Sequence, residues 1–440
     1  MAEEKIIRVV IIKRETIKPS SPTPAHLKTF KLSTLDQLAP PVYVPMLFFY
    51  PNNQATSSDQ RSHNLKKSLS ESLARFYPIA GTILNNSTID CNDEGAQYIE
   101  ARYNGLLSTF LEQPTDISVV QEFVPAAIES PLQATTWPLL LAQATLFDCG
   151  GLALGLSVSH KFADATTIGI FMKSWAATCA GSDNKAVVDA VLDGTSSFFP
   201  QIDLSGFQPP PVEIKKVESV TKRYVFDKPK IENLKAQITV AVDDDSQIHN
   251  RQPSRVEVVT AIIWKCVVAA SRANSGPPKF ALARSMNIRR RAEPPLPENL
   301  VGNFVAIIAS RIDEHEPELQ DLASELRRGL RDFGEKRAKG LRGDAALEVI
   351  FHGLKEFSEF TGKDDTEGLF VTSMCNFQLY ETVEFGWGKP IWVTIPFVTG
   401  HNNVVTLTDS RDGGVEAWVT LSKQDMASFE RDPEILQFSH

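Results

Sequence analysis

The pair that invites a chemical reading is His160 and Asp164, set in the stretch Ser159-His160-Lys161-Phe162-Ala163-Asp164. An imidazole titrates near neutrality, so held rigidly beside solvent it can take the proton of a hydroxyl or amine as that group attacks. Two readings of His160 are open from the residues alone: a general base, or a core histidine with both ring nitrogens satisfied. For Asp164 the stronger readings are a helix N-cap or one half of a buried ion pair, ahead of a proton carrier.

The elements around the pair say how it would be held. Leu152, Leu154, Leu156 and Val158 share one parity, and Ala153, Gly155, Ser157 and Ser159 the other. That is strand periodicity, with large residues on one face and small ones opposite. His160 continues the large parity at the strand's end, which predicts a partly buried ring. The period then changes: Ile168, Phe171, Met172, Trp175 and Cys179 recur at helical spacing, and Gly181 stands where a helix stop is expected. A preceding apolar run, Leu139 to Phe147, is joined to the strand through Asp148-Cys149-Gly150-Gly151, the signature of a hairpin with a glycine turn. Cys149, with no basic neighbour nearby in sequence, reads as a small turn thiol.

His160 to Asp164 fits an HxxxD pattern, and Glu384-Phe385-Gly386-Trp387-Gly388 is similar to DFGWG. Together, and in this order, they resemble the plant acyl-CoA-dependent acyltransferases of the BAHD family. The resemblance extends to QATLFDCGG before the strand, to Leu65–Gly81, to Ser254–Lys265 and to the ending from Glu416. It implies an α/β fold of two similar chloramphenicol-acetyltransferase-like domains with mixed sheets and a channel between them. It implies His160 as general base and Asp164 in a structural role, with Arg289 as candidate ion-pair partner of Asp164. Glu384, Phe385, Gly386, Trp387 and Gly388 would form a structural motif remote from the acceptor. Ser254, Arg255, Asn287, Gly302 and Asn303 are the expected coenzyme contacts, and Thr372 is a possible oxyanion donor. No permanently bound cofactor or metal is implied; acyl-CoA, read as acetyl-CoA, is the co-substrate, and a small-molecule alcohol is the acceptor.

Several positions depart from the family pattern. Ser159 replaces a second histidine, Ala165 a glycine, Glu384 an aspartate, and Met374 a tryptophan whose indole would have been a donor. These changes lean toward branches that modify alkaloids and terpenoids. Two other functions compete with acyl transfer: a catalytically silent binding protein, and a hydrolase in which the same histidine activates water.

Length and composition bound the rest. A chain of 440 residues exceeds the roughly 250 to 300 at which single cores stop growing, so two domains are expected. A net charge of -9 argues against a nucleic-acid face. Five scattered cysteines, with no CxxC pair, predict a reducing, cytoplasmic setting and no metal cluster. No apolar run approaches a membrane span and the start lacks a signal-peptide pattern. The expectation is a cytoplasmic monomer binding neither nucleic acid nor membrane.

Domain boundaries follow from composition. Residues 1–195 are expected to form the N-terminal domain, 196–218 a polar and proline-rich crossover, and 219–440 the C-terminal domain. A segment near 372–397 is expected to cross back to the first sheet, as in family members. Asn64–Tyr77 reads as a core-facing helix carrying Leu65, Leu69, Leu73 and Phe76, and Ser254 with Glu257 reads as a capping box. Arg289-Arg290-Arg291 is either a solvated turn or a set of partners for phosphate or carboxylate.

Overall fold

The computed structural model describes residues 9–52, 56–112, 116–125, 138–181, 189–192, 198–202, 204, 218–238, 252–274, 279–313, 317–341, 346–362, 365–397 and 403–440. The chain divides into two compact α/β units. The first comprises Met1–Asp203, Pro297–Phe304 and Phe377–Phe397; the second comprises Leu204–Leu296, Val305–Asn376 and Val398–His440. Most of the crossover read at 196–218 lies outside the described residues. Pro297–Phe304, which the sequence reading gave to the C-terminal domain, counts with the first unit.

Among the described residues, the first unit is built on a mixed sheet in the order Val9–Ile17, Ala96–Tyr103, Leu140–Phe147, Leu152–Ser159, Tyr43–Tyr50 and Trp392–Thr394. Ala96–Tyr103 and Leu140–Phe147 run parallel, and the other neighbours run antiparallel. The late strand Trp392–Thr394 therefore pairs with Tyr43–Tyr50, Val393 lying opposite Phe48. Apolar side chains fill the middle of this sheet, where strands are covered on both faces: every residue of Leu152–Ser159 is buried, whereas the edge strand Val9–Ile17 is largely exposed.

The small-residue parity of that strand has a steric cause. A Cβ on Gly155 would stand 2.1 Å from the Phe123 carbonyl oxygen and 2.9 Å from Val124 Cα. Ser157 Oγ also reaches the Pro125 carbonyl at 3.0 Å. The segment 123–125 thus lies directly on the small face, and at position 155 only a side chain of hydrogen fits beneath it. Gly155→Ala should cost about 1 to 3 kcal/mol through this overlap, read as a lower thermal unfolding midpoint.

Helix Ser58–Arg75 packs Leu65, Leu69 and Leu73 inward, all fully buried. Against it lies Ala165–Cys179, whose Trp175 indole donates to Ser68 Oγ at 3.0 Å. This fixes the helix that follows the His160 strand.

The second unit repeats the plan. Its mixed sheet runs Val305–Ile312, Lys279–Asn287, Thr366–Ser373, Val404–Asp409, Val415–Ser422 and Ser219–Phe226 among the described residues. Thr366–Ser373 is parallel to both of its neighbours. Helix Arg255–Ala273 lies on this sheet with Trp264 fully buried, capped by the reciprocal Ser254 and Glu257 bonds expected from sequence. No helix among the described residues is long and apolar enough to cross a membrane.

Candidate active site

Strand Leu152–Ser159 ends one residue before His160, whose backbone N–H donates to the Val42 carbonyl at 2.9 Å. The His160 backbone is thus tied to the residue that precedes strand Tyr43–Tyr50, and the residue retains partial exposure. The His160 Nδ1 lies 2.9 Å from Oδ1 of Asn303. That contact has only one consistent proton arrangement, because the rest of the Asn303 amide is spoken for. Nδ2 donates to Asp36 Oδ1 at 2.9 Å and to the His160 carbonyl at 2.7 Å. Flipping the amide would set its oxygen against a carboxylate and a carbonyl, both acceptors only. Oδ1 therefore accepts, and Nδ1 of the neutral ring carries the hydrogen. Nε2 is left with its lone pair, the state a general base needs.

The electrostatics agree. Burial lowers the His160 pKa below its ordinary value, against the opposing effects of Asp164 and Asn303, so the ring is neutral at neutral pH. The Lys161 ammonium donates to the Gln37 carbonyl at 2.7 Å, and burial pulls its pKa down to about 8 although Asp36 acts to raise it.

Asp164 is buried and serves as the N-cap of helix Ala165–Cys179. Oδ1 accepts from the Thr167 N–H at 2.9 Å and Oδ2 from the Phe304 N–H at 3.1 Å. Thr167 Oγ1 adds to this tie, accepting from the Gly302 N–H at 3.0 Å. Gly302 has φ +128°, a conformation that favours glycine. The helix start and residues 302–304 are thereby locked together, and this lock positions Asn303.

The second motif builds a different object. Glu384 Oε1 accepts from the backbone N–H groups of Gly386 at 2.7 Å and Gly388 at 2.8 Å. The two glycines have φ +94° and +112°, so the loop curls around its own carboxylate. Phe385 and Trp387 stack at 5.5 Å and are both buried, with Phe385 edge-on to Trp175 at 5.3 Å. Glu384→Ala should remove about 1 kcal/mol of stability while leaving kcat of the folded enzyme unchanged, checked by thermal unfolding beside turnover.

A family model described as the Transferase family matches residues 7–436. The chain belongs to the BAHD acyltransferase family. Its relatives include the epi-neemfruitin B 7-O-acetyltransferase of Melia azedarach, 36% identical over 98% of both chains. The salutaridinol 7-O-acetyltransferase of Papaver somniferum is 34% identical over 96% of each. Among solved structures, vinorine synthase matches with a TM-score of 0.83 at 32% identity over 98% of both chains. F. graminearum TRI101, crystallised with coenzyme A and T-2 mycotoxin, shares the fold at a TM-score of 0.74 and 16% identity, over 94% of this chain and 99% of its own. As a BAHD enzyme the protein is an acyl-CoA-dependent acyltransferase.

Several residues read as coenzyme contacts are committed inside this BAHD chain. Ser254 caps its helix by accepting from the Glu257 N–H. The Arg255 guanidinium donates to the Gly413 and Gly414 carbonyls, to Asn376 Oδ1 and, at 2.9 Å, to Asp409 Oδ1. Asn287 Oδ1 accepts from the Arg289 N–H at 3.0 Å, and the Arg289 side chain is buried. Gly302 and Asn303 lie in the first unit, and the Asn303 amide bonds to Asp36 and His160. Thr372 Oγ1 accepts from Ser285 Oγ at 3.0 Å, which leaves its own hydrogen to donate. Met374 is buried beside it in sequence.

Asp36 was missed altogether. Its signal was present as Ser33-x-x-Asp36, a capping box that the structure forms at the start of helix Thr34–Leu38. Another grouping invisible in sequence spacing joins Cys266, Asp432 and Glu434, whose ligand-type atoms lie within 4.8 Å of one another. There burial and the two carboxylates push the thiol pKa up, Asp432 caps the final helix, and Glu434 pairs with Lys265 at 2.9 Å. All three groups are thus engaged within the fold.

Proposed function

We propose that the chain transfers an acetyl group from acetyl-CoA to a hydroxyl of an alkaloid or terpenoid alcohol, with His160 Nε2 as the base. The observation that carries this reading is the Asn303 contact, which puts the ring hydrogen on Nδ1 and the lone pair on Nε2. Nε2 removes the acceptor's proton as its oxygen bonds to the thioester carbonyl carbon. The imidazolium then returns that proton to sulfur as the C–S bond breaks, giving the ester and free coenzyme A. No chain nucleophile is needed. Thr372 is our candidate donor to the developing oxyanion.

Support for the acceptor class comes from relatives whose names specify 7-O-acetylation of a salutaridinol and of an epi-neemfruitin. All five cysteines are free, which supports a cytoplasmic setting, and we take the working form as a monomer. The test is a panel of acyl-CoA donors and alkaloid or terpenoid alcohols, read by product mass. An acetylated product formed by the wild type and absent with His160→Ala supports the reading. Acyl release at the same rate without acceptor would instead mark a hydrolase, and no turnover of any thioester would mark a binding protein.

A further inference from the structure

Asp36 is a buried carboxylate that the transfer chemistry does not itself use, and its surroundings are unusually complete. Oδ2 accepts from the Ser33 N–H at 2.9 Å and from Ser33 Oγ at 2.7 Å. Oδ1 accepts twice from one residue, the Asn303 N–H at 2.8 Å and Asn303 Nδ2 at 2.9 Å. A single oxygen thereby clamps the main chain and the side chain of Asn303 together. Charge-assisted bonds of this kind are about twice as strong as neutral ones. Their acceptor also dictates which end of the amide faces the imidazole.

We infer that Asp36 is a positioning residue that acts through Asn303 to hold His160 in its Nδ1–H tautomer. The Ser33–Asp36–Asn303–His160 chain does the work of the acid in a serine-protease triad, with an amide interposed between carboxylate and ring. A carboxylate next to the ring would have fixed the tautomer directly and also drawn a full proton toward itself. The interposed amide fixes the tautomer with a dipole that the distant charge orients. Without that charge, only the His160 carbonyl, 2.7 Å from Nδ2, still opposes the flip, and the second orientation becomes populated. In the flipped one Nδ2 donates to Nδ1, the ring hydrogen moves to Nε2, and the base is blocked.

This inference rests on His160 being the base, but its decisive measurement needs no turnover. With histidine-selective 15N labelling, the His160 ring signals, assigned from the His160→Ala spectrum, report which nitrogen carries hydrogen. At neutral pH without substrate the wild type should show a protonated Nδ1 and a bare Nε2. Asp36→Asn should show a mixture of the two tautomers. With an accepted substrate pair, its kcat should fall about 10 to 100-fold with KM for both substrates little changed. Ser33→Ala, which keeps both Asn303 bonds, should retain the wild-type tautomer.

A wild-type ring protonated on Nε2 would overturn the inference outright, even if no variant folds. So would an Asp36→Asn protein that keeps the wild-type tautomer, whether or not its activity falls. If the tautomer shifts as expected but no thioester is turned over by any variant or by the wild type, the proposed function fails and the Asp36 assignment stands.

Discussion

His160→Ala is expected to lower kcat/KM by about 10²- to 10⁴-fold, the range a positioned general base supplies. The loss should appear in kcat, because the ring touches the hydroxyl only as its proton leaves. The pH dependence follows from the lowered pKa of the buried ring. A base whose folded-state pKa lies below the ordinary histidine value stays neutral down to that lower value, so kcat/KM should hold through neutrality and fall only in acid. Stability runs the same way: burying a neutral ring favours the fold at pH above the unfolded pKa, and that contribution is lost as pH drops toward the folded one. Rate–pH profiles and acid unfolding should therefore show their losses on the acid side together. An alanine variant with near-normal turnover on its true acceptor would remove His160 from the chemistry.

How far this site could be read in advance depended on whether its contacts were local. The alternation from Leu152 and the helical spacing after Ile168 fix where His160 and Asp164 sit, because both elements are made by neighbours in sequence. The N-cap reading of Asp164 is equally local, and the Thr167 bond confirms it. Another acceptor bond of Asp164, to Phe304, joins residues 140 apart, and no periodicity announces it. Asn303 was visible as a polar residue beside a permissive glycine, but residues 297–304 were placed with the chain around them. Packing sends that stretch to the other unit. Asp36 was hidden for a related reason: a capping box accounts fully for Ser33 and Asp36 locally, and only the tertiary fold shows that the other carboxylate oxygen is aimed at Asn303. Gly155 reads as a small residue in a strand, while the carbonyl it accommodates comes from a segment with no pattern of its own.

Asp164 variants should lose folded yield and rate together, with alanine worse than asparagine. Alanine leaves the buried N–H groups of Thr167 and Phe304 without this acceptor, and each buried donor stripped of its partner costs about 1 to 3 kcal/mol. Asparagine caps a helix about as well as aspartate, so its oxygen can serve Thr167. Its NH2 group must then face the Phe304 N–H, two donors in contact. The damage from asparagine thus includes the bond that holds residues 302–304. That bond sits beside Asn303, so the displacement reaches the His160 ring through the amide that orients it. The expected order is wild type, Asn, Ala in thermal midpoint and in soluble yield, with kcat of the folded asparagine protein down about 10- to 100-fold. Differential scanning calorimetry and turnover per folded molecule measure the two effects separately. An asparagine protein as stable as the wild type and defective only in rate would assign Asp164 a direct part in proton transfer and would end its role as a lock on the Asn303 segment.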